Sequence, residues 1–262
     1  MRLYWEDARG DGPPVLLIMG LGMTATGWWR TVPVLVEAGL RVIAFDNRGV
    51  GRSDRPQGPY TVAEMADDAV AVLDSADVAA AHVYGISLGG MIAQELALRY
   101  PDRVHALVLG ATTAGGADFV PAGEDVNAVV QLRAQMTAQY AVWASVPLNY
   151  AARTRREGGS RIAEDIAQRL RYPVEPEYYS AQLAAAHAHD ARVADISAPT
   201  LVVHGTEDVL IPPANGERLA AAIPDADLTL WPDAAHLYFT DEPRADRDIA
   251  RWLSARSSPG PS

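Results

Sequence analysis

Ala81-His82-Val83-Tyr84-Gly85-Ile86-Ser87-Leu88-Gly89-Gly90-Met91-Ile92-Ala93-Gln94-Glu95 is the stretch on which the fold turns. A short apolar run ends at Gly85, and helical spacing begins at Leu88 and continues through Ile92 and Leu96. Gly85-x-Ser87-x-Gly89 lies between them. A strand that turns straight into a helix forces the turning residue into a strained backbone conformation. Glycine two positions before and two after removes the Cβ atoms that would collide there. The serine hydroxyl is left clear of the sheet, and the helix points its free N–H groups and positive dipole end at the same spot. The pentapeptide alone is also compatible with a small-residue turn that lets a helix lie close to a sheet, so further support has to come from the rest of the chain.

Outward from this stretch the rhythm is regular. Apolar runs at 3–6, 15–19, 41–45, 82–84 and 104–109 read as strands. Helical patterns at 27–37, from Thr61 to 74, and from 88 to Tyr100 lie between them, and Thr61-x-x-Glu64 forms a capping box. Alternation of this kind makes a parallel sheet with helices on both faces. From 112 to 196 no strand candidate occurs. Ala-rich helical patterns run through 126–144, 150–156, 162–170 and 178–190, separated by Pro147, Pro173 and Pro176. Strands at 200–204 and 227–231 and helices at 213–222 and 243–255 then resume the alternation. The expected organisation is a core of residues 1–111 and 197–256, a helical insertion at 112–196, and a disordered Ser/Pro/Gly tail at 257–262.

Composition narrows the chemistry. With 262 residues, 49% of them apolar, the chain can bury one large core. A net charge of −11 argues against nucleic acid and anionic membranes as partners. No cysteine is present, which excludes disulfides, thiolate metal sites and thiol nucleophiles. All 22 basic residues are arginine, so Schiff-base chemistry, pyridoxal phosphate attachment and a P-loop lysine are excluded too. No cofactor or metal is expected, and the partner expected is a small-molecule substrate. The N-terminus lacks a signal-peptide pattern and no run of about 18 apolar residues occurs, so a cytoplasmic protein is expected.

In open parallel sheets ligands bind beyond the carboxyl ends of the strands. A serine hydroxyl there needs a base. His82 and His105 lie at the wrong end of the sheet, and His204 reads as a core residue bonded to backbone. His187 and His189 read as exposed or pocket-lining residues of the insertion. His236, in the loop after the last strand, is the best-placed base. Its other nitrogen needs a carboxylate. Asp208, just after the 200–204 strand, fits, and the spacing does not exclude Glu207.

Ser87, Asp208 and His236 in this chain order, behind a Gly85–Gly89 elbow, resemble the α/β-hydrolase fold family. His204-Gly205-x-x-Asp208 followed by Pro212, and Asp46-x-Arg48-Gly49-x-Gly51-x-Ser53, are similar to its lid-bearing esterase, lactonase and C–C hydrolase branch. The resemblance covers nearly the whole chain. It implies an α/β fold with a mostly parallel central sheet and a helical cap between the sixth and seventh strands. It also implies a Ser87–His236–Asp208 triad and an oxyanion hole formed by the N–H groups of Leu21 and Leu88. The usual histidine of the oxyanion loop is here Met19, a departure that bears on the loop's shape.

The implied activity is serine-dependent hydrolysis of a small to medium apolar carboxylic ester or lactone through an acyl-enzyme. C–C bond hydrolysis and cofactor-free perhydrolysis use the same triad, because fold does not fix chemistry. Gly20-x-Gly22-x-x-Ala25, with Asp46 ending the next strand, also matches a dinucleotide fingerprint. That nicotinamide-oxidoreductase reading leaves Ser87, Asp208, His236 and the insertion without a role. Tyr140, Trp143, Tyr150, Tyr172, Tyr178, Tyr179, Trp28, Trp29 and Met91 are the aromatic and sulfur residues placed near the mouth, most of them expected to serve packing.

Overall fold

The computed structural model describes residues 1–256; the tail 257–262 lies outside the described residues. Its centre is one seven-stranded sheet in the order β1-β3-β2-β4-β5-β6-β7. The strands are β1 (Trp5–Ala8), β2 (Pro14–Ile18), β3 (Arg41–Phe45), β4 (Ala81–Ile86), β5 (Val104–Gly110), β6 (Thr200–Gly205) and β7 (Asp227–Trp231). β1 runs antiparallel to β3, and every other pairing is parallel. The carboxyl ends of β2 to β7 therefore share one edge, where ligands of such sheets bind.

Helices α1 (Thr31–Glu37), α2 (Val62–Ser75) and α3 (Leu88–Arg99) connect the first strands. Thr61 caps α2 as the sequence implies, its hydroxyl accepting from the Glu64 N–H while the Glu64 carboxylate accepts from the Thr61 N–H. Between β5 and β6 come α4 (Glu124–Leu132), α5 (Ala138–Ala144), α6 (Val146–Asn149), α7 (Ala152–Glu157), α8 (Gly159–Arg169) and α9 (Pro176–His187), with no strand among them. α10 (Ala214–Ala222), α11 (Tyr238–Asp241) and α12 (Arg244–Ser254) complete the chain.

Alternation along the strands gives each face of the sheet its own core. Leu16, Ile18, Ile43 and Val83 point one way, against Met65 and Leu73 of α2, Ile92 and Leu96 of α3, and Leu219 of α10. Val15, Leu17, Val42 and Tyr84 point the other way, against Leu35 of α1 and Ile249 and Leu253 of α12. Among the described residues no helix is long and apolar enough to cross a membrane.

Three expectations shift. The helical insertion, expected between the sixth and seventh strands of the family's fold, lies between the fifth and sixth of the seven strands that the described residues form. The helix expected over 27–37 is a 3-10 turn at Ala25–Trp28 followed by α1, which carries Pro33 in its first turn, where no N–H is needed. The helix expected over 126–144 breaks at Met136, whose backbone is extended, and restarts with Thr137 as the cap of α5.

Candidate active site

β4 ends at Ile86 and α3 begins at Leu88, so Ser87 alone makes the turn. Its backbone sits at φ 57° and ψ −123°, a conformation that costs about 1–3 kcal/mol for a residue with a side chain. Bonds on both sides fix it there. The Ser87 N–H donates to the Gly110 carbonyl of β5 at 2.9 Å, and the Ser87 carbonyl accepts from the Thr112 hydroxyl at 2.7 Å. A Cβ on Gly85 would collide with the Gly89 carbonyl, and one on Gly89 with the Ile18 carbonyl. The two glycines are thus required by the close passage of α3 over β2 and β4.

The loop after β2 stands against the elbow. A Cβ on Gly20 would lie 3.1 Å from Ser87 Cβ. Met19 itself is fully buried in the core, so the side chain in the usual histidine position stays out of the site. Its carbonyl accepts from Asn47 Nδ2 at 2.9 Å, the Met23 N–H closes a turn on the Gly20 carbonyl at 3.2 Å, and the Gly22 N–H donates to Gln182 Oε1 of α9 at 2.9 Å. Among the described residues the Leu21 N–H donates to no protein acceptor. Leu88 is the first residue of α3, where an N–H has no acceptor within its own helix.

Asp208 and His236 are brought together. His236 Nδ1 lies 2.8 Å from Asp208 Oδ2, and both residues are buried. Burial by itself would raise the Asp208 carboxyl, but the charge and hydrogen bonds of His236 and His204 outweigh it and hold the group down at about 2. An ionised carboxylate only accepts, so His236 Nδ1 carries a proton, and in the neutral imidazole Nε2 is the nitrogen with the lone pair. Asp208 Oδ1 accepts from the N–H groups of Leu210 and Ile211 at 2.9 and 3.0 Å, which fixes the carboxylate plane. His204, buried at the end of β6, lies 2.8 Å through Nε2 from the Ile211 carbonyl and 3.3 Å from Asp208 Oδ2. It is the backbone-bonded core residue that the sequence suggests, and it also braces Asp208.

Glu207 goes elsewhere: its Oε2 accepts from the Ala152 N–H of α7 at 2.9 Å. The histidine loop is tied to the insertion as well. The Leu237 N–H donates to the Asn149 carbonyl at 2.9 Å, and Asp241 Oδ2 accepts from both Ala235 and Ala151 N–H groups at 2.8 and 3.0 Å. Asn149, Gln182 and Asp241 carried no motif in the sequence. They act through pairings that only the folded insertion creates.

Other expectations sort as follows. His187 is exposed, but His189 is buried, its Nε2 3.3 Å from Gln94 Oε1 of α3; α9 ends before it, so it turns inward instead of lining the mouth. Trp28 is fully buried against Tyr84 and Phe239, away from the mouth. Tyr140 and Trp143 are exposed, Tyr150 is buried, and Tyr179 reaches the loop after β2, 3.0 Å from where a Gly22 Cβ would stand. Asp46 has no acceptor left for a ribose. Its carboxylate is fully buried and takes the Ala25 N–H at 2.8 Å and the Arg52 N–H and Nε at 2.9 Å each. The fingerprint loop leads into a 3-10 turn and not a long helix.

Comparison with known proteins bears on the fold and the family. A family model described as alpha/beta hydrolase fold matches residues 13–243. A protein of Variovorax paradoxus that bears the name "Putative carbamate hydrolase RutD" is 33% identical over 265 residues, 99% of each chain. The structure of a thermophilic esterase from Thermogutta terrifontis, solved with malate bound, superposes with a TM-score of 0.84 at 28% identity and covers 98% of this chain and 94% of its own. An enol-lactonase from Burkholderia xenovorans LB400 superposes with a TM-score of 0.82 at 28% identity, covering 97% and 95%. The sheet order, the elbow at Ser87 and these matches together place the chain in the α/β-hydrolase fold family, as a hydrolase.

Proposed function

We propose that this hydrolase cleaves carboxylic esters or lactones through an acyl-enzyme on Ser87. The observation that carries the reading is the His236–Asp208 hydrogen bond, which turns Nδ1 of His236 to the carboxylate and leaves Nε2 as the nitrogen available to a substrate group, at the sheet edge that also bears the Ser87 elbow. The similarity to an esterase and an enol-lactonase supports it.

In this reading Ser87 Oγ attacks the carbonyl carbon and its proton passes to His236 Nε2. Asp208 stabilises the imidazolium that forms and keeps the ring oriented. The carbonyl oxygen, now negative, is held by the N–H groups of Leu21 and Leu88, each worth about 3 kcal/mol in comparable sites. The dipole of α3 acts in the same direction. The tetrahedral intermediate collapses as His236 gives its proton to the departing alkoxide. Water then loses a proton to His236 and attacks the acyl-enzyme, and the acid leaves as Ser87 is reprotonated. In a lactone the alkoxide stays attached to the acyl group, and the product is a hydroxy acid. No nucleic acid, membrane or cofactor enters this scheme.

The test is hydrolysis of a chain-length series of 4-nitrophenyl esters and simple lactones by the protein and by Ser87→Ala. Turnover by the first and background rates with the second support the reading. Equal rates for the two proteins would overturn it.

A further inference from the structure

Two arginines of the helical insertion have no carboxylate to meet. Arg133, after α4, and Arg169, the last residue of α8, both line a cavity with about 430 Å³ of space between its atoms, part of it open to solvent. Met136, Val142, Val174 and Tyr179 make its apolar wall, and Gly22 of the loop after β2 closes one side. Arg133 Nε and Arg169 Nη1 are buried and have no hydrogen-bond partner. Among the described residues neither guanidinium forms an ion pair. Arg133 rests on the Tyr179 ring, 4.9 Å from its centroid.

The carboxylate that acts on Arg169 from a distance is Asp165, one turn earlier on α8, and its oxygens are taken. Oδ1 accepts from Trp29 Nε1 at 3.0 Å and Arg30 Nε at 3.1 Å; Oδ2 accepts from the Thr240 hydroxyl at 2.8 Å and the Tyr150 hydroxyl at 3.3 Å. Burial pushes Arg133 down to about 10, with the Tyr179 hydroxyl pulling upward and Arg169 pushing further down. Burial lowers Arg169 as well, while the Tyr150 hydroxyl hydrogen-bonded to it pulls the other way. A guanidinium is in practice always protonated in proteins, so the two are like charges. Two like charges brought together in a partly dry cavity, with unmade hydrogen bonds, are costly for a chain to keep without a use.

The cavity adjoins the proposed reaction centre. Gly22 is two residues from Gly20, which stands against Ser87, and two residues span at most about 7 Å. Arg169 also lines a second cavity whose wall includes Leu237, the neighbour of His236. The two cavities thus border the loop that stands against Ser87 and the loop that carries His236.

We propose that Arg133 and Arg169 form a subsite for a carboxylate carried by the substrate, so that the ester or lactone cleaved is an anionic one. This rests on the hydrolytic reading above and replaces the expectation of an apolar substrate. A carboxylate offers two oxygens in one plane, one for each guanidinium that lacks an ion pair, reaching the unfilled Arg133 Nε and Arg169 Nη1 through charge-assisted hydrogen bonds. The apolar wall covers the linker between the carboxylate and the reacting carbonyl.

The experiment compares matched substrates. Mono-4-nitrophenyl glutarate is set against its methyl ester, which places or removes the charge on the acid side. 4-Acetoxybenzoate is set against its methyl ester, which does the same on the alcohol side. The wild-type protein should prefer the anionic member of at least one pair by tenfold or more in kcat/KM. Arg133→Met and Arg169→Met should each cut that preference ratio by about 10- to 100-fold, as expected for loss of a charge-assisted hydrogen bond. Glutarate binding, followed by calorimetry, should weaken in parallel. Melting temperatures should stay level or rise, since a buried unpaired charge is removed; a merely structural role would lower them.

No anionic preference in either pair, with the neutral esters still cleaved, overturns the subsite and leaves the hydrolytic reading standing. Wild-type preference retained in both variants overturns it too. Glutarate binding that depends on both arginines, with none of the esters cleaved, supports the subsite and sinks ester hydrolysis.

Discussion

Asp208 Oδ2 and His236 Nδ1 lie 2.8 Å apart although the two residues come from different loops, one after β6 and one after β7. The contact sets the tautomer of the imidazole, because the buried carboxylate stays ionised between His236 and His204. Asp208→Asn offers an amide N–H where an acceptor is needed and moves the proton to Nε2. In the comparable serine-protease site the same change lowers kcat by about 10⁴. We expect a loss of about 10³–10⁴ in kcat with little change in KM, measured by steady-state hydrolysis of a nitrophenyl ester. A loss under tenfold would separate Asp208 from the chemistry.

Gln182 of α9 bridges two loops, accepting from the Gly22 N–H at 2.9 Å and donating to the Arg48 carbonyl at 2.8 Å. Gly22 follows Leu21, so the side chain holds the proposed oxyanion loop in place from the insertion. Gln182→Ala should lower kcat/KM about tenfold, the scale of one or two hydrogen bonds lost at a positioned loop. The decrease should appear mainly in kcat. A change confined to melting temperature would make Gln182 a packing residue only.

Asp246 of α12 is buried, accepts from the Thr31 hydroxyl at 2.8 Å through Oδ2, and has no partner for Oδ1. Burial raises its carboxyl to about 7, with the Thr31 bond working the other way. A carboxyl whose folded value lies above its unfolded value of about 4 holds its proton longer in the folded state. Stability is therefore full below about pH 4 and is lost as pH rises towards 7. Asp246→Asn should flatten this dependence and be more stable than the wild type at pH 8 by about 1–3 kcal/mol. Urea unfolding at pH 5 and pH 8 measures it; parallel pH profiles for the two proteins would refute the assignment.

Features written in local sequence were legible, and those created by distant contacts were not. The elbow could be read because Gly85, Ser87 and Gly89 answer a steric need within one turn. The sheet could be read because buried strands are continuous apolar runs. Asp208 could not be separated from Glu207 by spacing; the insertion does that, by occupying Glu207 with the Ala152 N–H. His189 reads as an exposed or pocket-lining helical residue, but α9 stops at His187 and turns it into contact with Gln94. Arg133 and Arg169 carry no motif in the sequence. Only the packing of α8, α9 and the loop after β2 brings them to one cavity, where neither meets a carboxylate among the described residues.

The most direct test of the central claim is covalent labelling of the nucleophile. The protein is treated with a fluorophosphonate, its intact mass is measured, and the adduct is located by peptide mapping. We expect one phosphonyl group per chain, on the peptide containing Ser87, with ester hydrolysis lost in proportion and no adduct on Ser87→Ala. Labelling at another residue, or full hydrolytic activity in Ser87→Ala, would contradict the account.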